Sequence, residues 1–203
     1  MHQNSFEMET KDQKQKQQVT LYLESNPNPN SLKFVASNLL IPEGISFDFA
    51  DKQSAANSKL ATILFDFNFV QRVFIMSNFV TVTKSDGIDW FEIQDEVKNK
   101  IIDFIESGKP LVDQEAVASN KVVEEDPEDV KKIKVILDEY IKPAVEQDGG
   151  AIIFDSFENG VVKLQLQGSC SGCPSSTITL KAGIENLLKS MMPEVQSVEA
   201  ESI

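Results

Sequence analysis

Between Lys109 and Asp129 the chain stops repeating. "KPLVDQEAVASNKVVEEDPED" is acidic and short of large apolar residues. It follows neither the period of two that buries one face of a strand nor the period of 3.6 that buries one face of a helix. The stretches on either side do follow one or the other. A segment without a period predicts no core of its own, so the chain reads as two small α+β domains joined by a flexible acidic linker over 109–127. Asp126-Pro127 leads into the next helix. At 203 residues the chain has room for a core on each side, and domains linked in this way are expected to move independently.

The first domain spans 19–108, after a polar stretch, 1–18, that reads as a disordered tail. "VTLYLES" (19–25) and "SLKFVAS" (31–37) alternate as half-buried strands, and "NPNPN" between them is a turn whose prolines fix φ. A short helix or loop is expected near Phe65–Phe69, then a strand pair at "RVFIM" and "FVTVTK". Ile93, Val97, Ile101, Ile102 and Ile105 carry helical spacing, and Gly108 and Pro110 stop that helix.

The second domain, 128–203, reads as helix, strand, strand, helix, strand. Val130, Ile133, Leu137, Tyr140, Ile141 and Val145 form one helical face, ended by Gly149-Gly150, with Pro143 removing one amide donor from its last turns. "AIIFDSFENGVVKLQLQG" is a hairpin turning at Glu158–Gly160, with Val162, Leu164 and Leu166 on one face. Ile178, Leu180, Ile184, Leu187, Leu188 and Met191 make a second helix closed by Pro193, and "VQSVEAE" is a last short strand.

Composition narrows the function classes. A net charge of −13 with no clustered Lys and Arg argues against nucleic acid as a partner. No apolar run is long enough to span a membrane. The first eighteen residues have neither the apolar core of a signal peptide nor the arginines of a mitochondrial leader. A cytoplasmic protein is expected. No histidine, serine and carboxylate arrangement suggests a nucleophile with its base, so the chain reads as a non-enzyme.

Both cysteines, Cys170 and Cys173, lie in "GSCSGCPSST", where a strand ends and a helix begins. Pro174 suits the first helical turn, where its missing amide hydrogen costs nothing. Unpaired helix amides and the positive end of the helix dipole then face the sulfurs and favour thiolate, the metal-binding form. Gly168 and Gly172 keep the loop open to backbone hydrogen bonds. Three uses stay open. A thiol–disulfide oxidoreductase would work as a monomer, but this pair follows the second strand of a hairpin instead of the first strand of a βαβ unit. Zinc needs four ligands, and the only histidine is His2, so a zinc site implies a zinc-linked dimer or carboxylate ligands. A 4Fe–4S cluster takes four thiolates. One chain supplies two, so two chains would share one cluster across a two-fold axis. A cluster held at the surface in this way suits a carrier.

The segment "DGGAIIFDSFENGVVKLQLQGSCSGCPSSTITLKAGIENLLKSMMPEV" resembles the NifU-type C-terminal (Nfu) domain. "NPNPNSLKF", "NFVTVTK" and "DW" resemble the Nfu N-terminal domain. The resemblance implies an iron–sulfur cluster scaffold or carrier. It would hold a 4Fe–4S cluster on a homodimer through Cys170 and Cys173 and pass it to apo iron–sulfur client proteins. Upstream cluster assembly proteins are further implied partners. It also implies an N-terminal domain with no cluster of its own that contacts partners.

Asp148, Gly149 and Gly150 could touch the cysteine loop, although a helix C-cap accounts for the glycines. Phe65, Phe67, Phe69, Phe74 and Phe79 read as core of the first domain. Trp90, the one tryptophan, follows a turn.

Overall fold

The computed structural model describes residues 18–119, 126–171 and 174–202. The expected tail therefore lies outside the described residues, as do 120–125 of the expected linker.

Five strands rich in β-branched and aromatic residues build the first sheet: β1 Leu21–Ser25, β2 Ser31–Ala36, β3 Ser46–Phe49, β4 Val70–Met76 and β5 Phe79–Lys84. Their order is β1-β2-β5-β4-β3, with every neighbouring pair antiparallel. The Asn-Pro turn closes β1 to β2 through two successive side-chain turns, Asn28 N–H to Asn26 Oδ1 and Asn30 N–H to Asn28 Oδ1, both 3.0 Å.

Register decides what each face of this sheet carries. Phe34, Val80, Ile75 and Phe47 lie opposite one another across four strands, as do Leu32, Val82, Val73 and Phe49. Both rungs point into one core with Val97, Ile101, Phe104 and Ile105 of α2 (Trp90–Glu106). The alternate residues make two rungs on the other face, Lys33–Thr81–Phe74–Asp48 and Val35–Phe79–Met76–Ser46. That face packs against the second domain: Val35, Phe74, Met76 and Phe79 form a buried cluster with Ala151.

Three expectations are refined or corrected here. The strand β3 is an addition: Ile45–Phe49 alternates apolar and polar residues, but the strand is only four residues long. The short helix or loop expected near Phe65–Phe69 is a loop, and the helix α1 lies just before it at Lys59–Leu64, where Ser58 caps it, its Oγ accepting from Ala61 N–H at 3.1 Å. Phe65, Phe67 and Phe69 do pack on the first core, but Phe74 and Phe79 lie in the contact between the domains. Residues 109–119, placed with the linker, belong to the first domain. Leu111 and Val112 are buried in its core, Leu111 O accepts from Ser58 Oγ at 2.8 Å, and Gln114–Ser119 forms α3. Two adjacent apolar residues can pin a segment without any period.

The second domain follows the expected order. Helix α4 (Glu128–Ile136) continues through a wide π-type turn, Leu137–Ile141, into α5 (Lys142–Gln147). Pro143 explains the widening, because its ring lacks an N–H and crowds the carbonyl one turn back. The extra residue brings Val145 into line with Ile133 and Leu137, and leaves Tyr140 exposed. The hairpin β6 (Gly150–Glu158) and β7 (Val161–Gly168) turns at Asn159-Gly160, both with positive φ, 52° and 81°. Helix α6 (Pro174–Met191) crosses over, and β8 (Ser197–Ser202) pairs parallel to β7. Ile184 and Leu188 of α6 are buried with Val162, Leu164 and Leu166, whereas Ile178 is 70% exposed.

If residues 109–119 complete the first core, Leu111→Ala should lower the stability of that domain by about 2–5 kcal/mol. Urea unfolding followed by Trp90 fluorescence reads this, and a change within error would return the segment to a linker.

Candidate functional site at the cysteine loop

Two arms converge at one end of the second sheet: the end of α5, Gln147–Gly150, and the end of β7, Gln167–Cys170. Helix α5 stops in a left-handed Gly149 (φ 77°) whose N–H reaches Glu146 O at 3.0 Å. The helix-cap reading of that glycine therefore holds. Gly150 is required for a different reason. A Cβ there would lie 2.7 Å from Gln167 O and 2.9 Å from Cys170 Sγ, so the strand passes directly beneath the sulfur.

Local hydrogen bonds hold the loop. Ser169 N–H donates to Gly149 O at 3.3 Å, and Ser169 Oγ donates to Asp148 O. Ser171 N–H closes a turn onto Gly168 O at 3.1 Å, and its Oγ reaches Leu166 O at 3.3 Å. From α6, Thr177 Oγ1 donates to Cys170 O at 3.3 Å, tying the loop to the start of the helix. Cys170 is 8% exposed and packs with Val145 and Leu180. Its surroundings form an opening of about 510 Å³ lined by Pro27, Ala144, Val145, Asp148, Thr179 and Leu180. Helix α6 begins at Pro174 as expected, so its unpaired first-turn amides lie at the loop. Cys173 and Gly172 lie outside the described residues. No helix among the described residues is long and apolar enough to cross a membrane.

The first domain reaches this loop, which the sequence did not indicate. Thr81 Oγ1 donates to Gly149 O at 2.7 Å, and Lys33 Nζ to Gln147 O at 3.2 Å. Asn28 Nδ2 donates to Ser169 O at 3.1 Å, and Ser46 Oγ to Gln167 Oε1 at 2.9 Å. Gly168 N–H donates to Asp48 Oδ2 at 3.1 Å, and the same carboxylate oxygen takes Arg72 Nη1 at 2.7 Å. The signal that could have found these residues is the alternation itself, since Lys33, Thr81, Phe74 and Asp48 are the half of each strand that the inner core does not use.

Burial pushes the Asp48 carboxyl above its ordinary range, although Arg72 and the Gly168 amide both oppose the shift. Burial also raises Glu146 and Asp148, against the pull of Lys33. Trp90 packs edge-on against Phe34, with ring centroids 6.2 Å apart, and so belongs to the first core.

The model of the scaffold protein Nfu/NifU N-terminal domain matches residues 21–108, and that of the NifU-like domain matches 133–199. Over 185 residues, 91% of this chain and 66% of the relative, it is 43% identical to the NFU1 iron-sulfur cluster scaffold homolog, mitochondrial, of Drosophila persimilis. With that of Drosophila erecta it shares 45% over 177 residues, 87% of this chain and 62% of the relative. The chain thus spans about two thirds of the length of these relatives. The solution structure of a NifU-like protein from Saccharomyces cerevisiae superposes with a TM-score of 0.41 at 22% identity, over 56% of this chain and 96% of that one. The chain belongs to the NifU-like (Nfu) family, with an Nfu N-terminal domain followed by a NifU-like domain.

Because a Cβ at Gly150 collides with backbone and sulfur, Gly150→Ala should cost about 1–3 kcal/mol in unfolding free energy. Gly183 in α6 has nothing within 4 Å of its added Cβ, so Gly183→Ala should stabilise by roughly 0.5–1 kcal/mol. Equal effects at the two positions would contradict the close approach at Cys170.

Asp48 binds its proton more tightly in the folded chain than in the unfolded one. The stability it contributes is full below the ordinary carboxylate range and declines as pH rises through the window up to the raised folded value. The difference in unfolding free energy between the parent and Asp48→Asn should therefore move in the parent's favour as pH is lowered from neutrality towards about 4. A difference that moves the other way would contradict the burial argument.

Proposed function

We propose that this chain is an iron–sulfur cluster carrier: two copies hold one 4Fe–4S cluster as cargo through Cys170 and Cys173 of each, and release it to apo-proteins. The observation that carries the reading is the position of Cys170. Its sulfur lies against a glycine strand, beside an opening to the surface, where helix α6 begins. Four thiolates complete a cubane cluster, and two chains with this pair supply four. Family membership supports the same reading, as does the printed name of the relatives, which are called iron-sulfur cluster scaffold homologs.

Transfer from such a site is ligand exchange. Each cysteine–iron bond of the carrier is replaced by one from the client, with no change in the number of bonds to iron. A client must therefore reach the sulfurs, and the opening beside Cys170 is the route to that one. This is binding and delivery, not turnover of a substrate, so the chain is read as a non-enzyme. The cytoplasm is the proposed compartment; the named relatives are mitochondrial.

The other metal reading is a zinc ion that links two chains through the same two cysteines, a colourless dimer with one zinc per pair. A thiol oxidoreductase remains an outcome that experiment can return.

Anaerobic incubation with iron and sulfide, then size-exclusion chromatography with iron read across the peak, should give a brown dimer carrying about four irons. Cys170→Ser and Cys173→Ser should each abolish cluster retention while leaving the circular dichroism of both domains unchanged. A single variant that still held a full cluster would remove that cysteine from the ligand set. A colourless monomer that reduces disulfides would move the pair to redox chemistry.

A further inference from the structure

We propose that the outer face of the five-stranded sheet is a cover for the cysteine loop, and that Cys170 becomes reachable when the first domain lifts away. This rests on the cargo reading for its biological meaning, but its test does not.

The cover is built by register. Two adjacent rungs, Lys33–Thr81–Phe74–Asp48 and Val35–Phe79–Met76–Ser46, present every side chain that touches the second domain from this sheet through the contacts described above. The polar members end on the two arms of the loop: Gln147 O, Gly149 O, Gly168 N–H and the Gln167 side chain. Asn28, in the turn before β2, adds Ser169 O, the carbonyl next to Cys170. Most of these targets are main-chain atoms, so what is gripped is the backbone path of the loop itself.

The loop is shaped to receive this face. A Cβ at Gly149 would meet Thr81 Oγ1 at 2.7 Å, and a Cβ at Gly168 would meet the Phe74 ring at 2.9 Å. Both glycines have positive φ, which alone would favour glycine. The space freed is nevertheless filled by the other domain, and a side chain at either position would hold the domains apart. Pro27, next to the same turn, lines the opening beside Cys170. A second copy or a client reaching for that sulfur meets the first domain there. Cluster sharing and docking therefore compete for one side of the loop. A tether makes docking independent of protein concentration, and the contacts above make the closed form the resting state of a metal-free chain in this proposal.

Lys33 is the charged member of the contact. Its ammonium pairs with Glu24 at 2.9 Å, lies 4.6 Å from the centre of the Phe79 ring and faces Glu146 and Asp148 across the contact. Reversing its charge sets a fourth carboxylate against Glu24, Glu146 and Asp148.

The test uses the full chain, reduced and metal-free. Iodoacetamide modification of residue 170 is followed by peptide mass spectrometry, and the tumbling of each domain by NMR relaxation. In the parent, both domains should share one rotational correlation time. Lys33→Glu and Phe79→Lys should separate the two times and raise the alkylation rate at Cys170 about fivefold, the change expected for a loss near 1 kcal/mol. Phe91→Lys, at an 85% exposed residue far from this face, should change neither. Should Phe79→Lys fail to fold, Lys33→Glu decides alone. Separate tumbling in the parent, or separated domains with an unchanged rate at Cys170, would overturn the cover. A chain that bound no iron and sulfide would sink the cargo reading while these rates still judged the cover.

Discussion

The arrangement depends on a cross-strand rung. Lys33, Thr81, Phe74 and Asp48 come from four strands that are far apart in sequence, and antiparallel register lines them up at the spacing of neighbouring strands. A slip of one residue in any pair would turn its members into the core and put Phe34, Val80, Ile75 or Phe47 in their place. The inner core therefore fixes the outer face: packing of the large apolar residues sets the register, and the register sets which polar groups meet the cysteine loop.

The loop itself is shaped by exclusion. Cys170 sits where β6 and β7 come so close that no side chain fits at Gly150, and Gly149 and Gly168 leave room for a neighbouring sheet. A rigid backbone around a thiolate suits metal binding, because ligands held in place lose little freedom when the metal arrives. The serine and threonine hydroxyls around it, Ser169, Ser171 and Thr177, are turned to backbone carbonyls. They fix the path of the chain and leave the sulfur as the soft donor of the site.

Much of this was legible in the sequence. The strands at Leu21–Ser25 and Ser31–Ala36 declare themselves by alternation, Val70–Met76 and Phe79–Lys84 by their β-branched and aromatic content, and α2, α4 and α6 by their apolar faces. The hairpin turn follows from Asn159-Gly160. What sequence could not give was the difference between two kinds of buried residue. Phe74 and Ile75 are equally apolar and adjacent, yet one faces the second domain and the other the first core, and only pairing with β3 and β5 tells them apart. Leu111 and Val112 were hidden for the opposite reason, two apolar residues in an acidic stretch with no period to announce them. Gly150 looked like part of a helix cap because the sulfur it makes room for lies twenty residues further along the chain.

On the proposed function, a single chain is half of a site. Native mass spectrometry of the anaerobically reconstituted protein tests it most directly, since it weighs chains and cargo together. The account predicts one species of two chains plus the mass of a single 4Fe–4S cluster, with single chains carrying neither iron nor sulfide. Single chains that each carried a complete cluster or one zinc ion, or dimers with no inorganic sulfide, would contradict it.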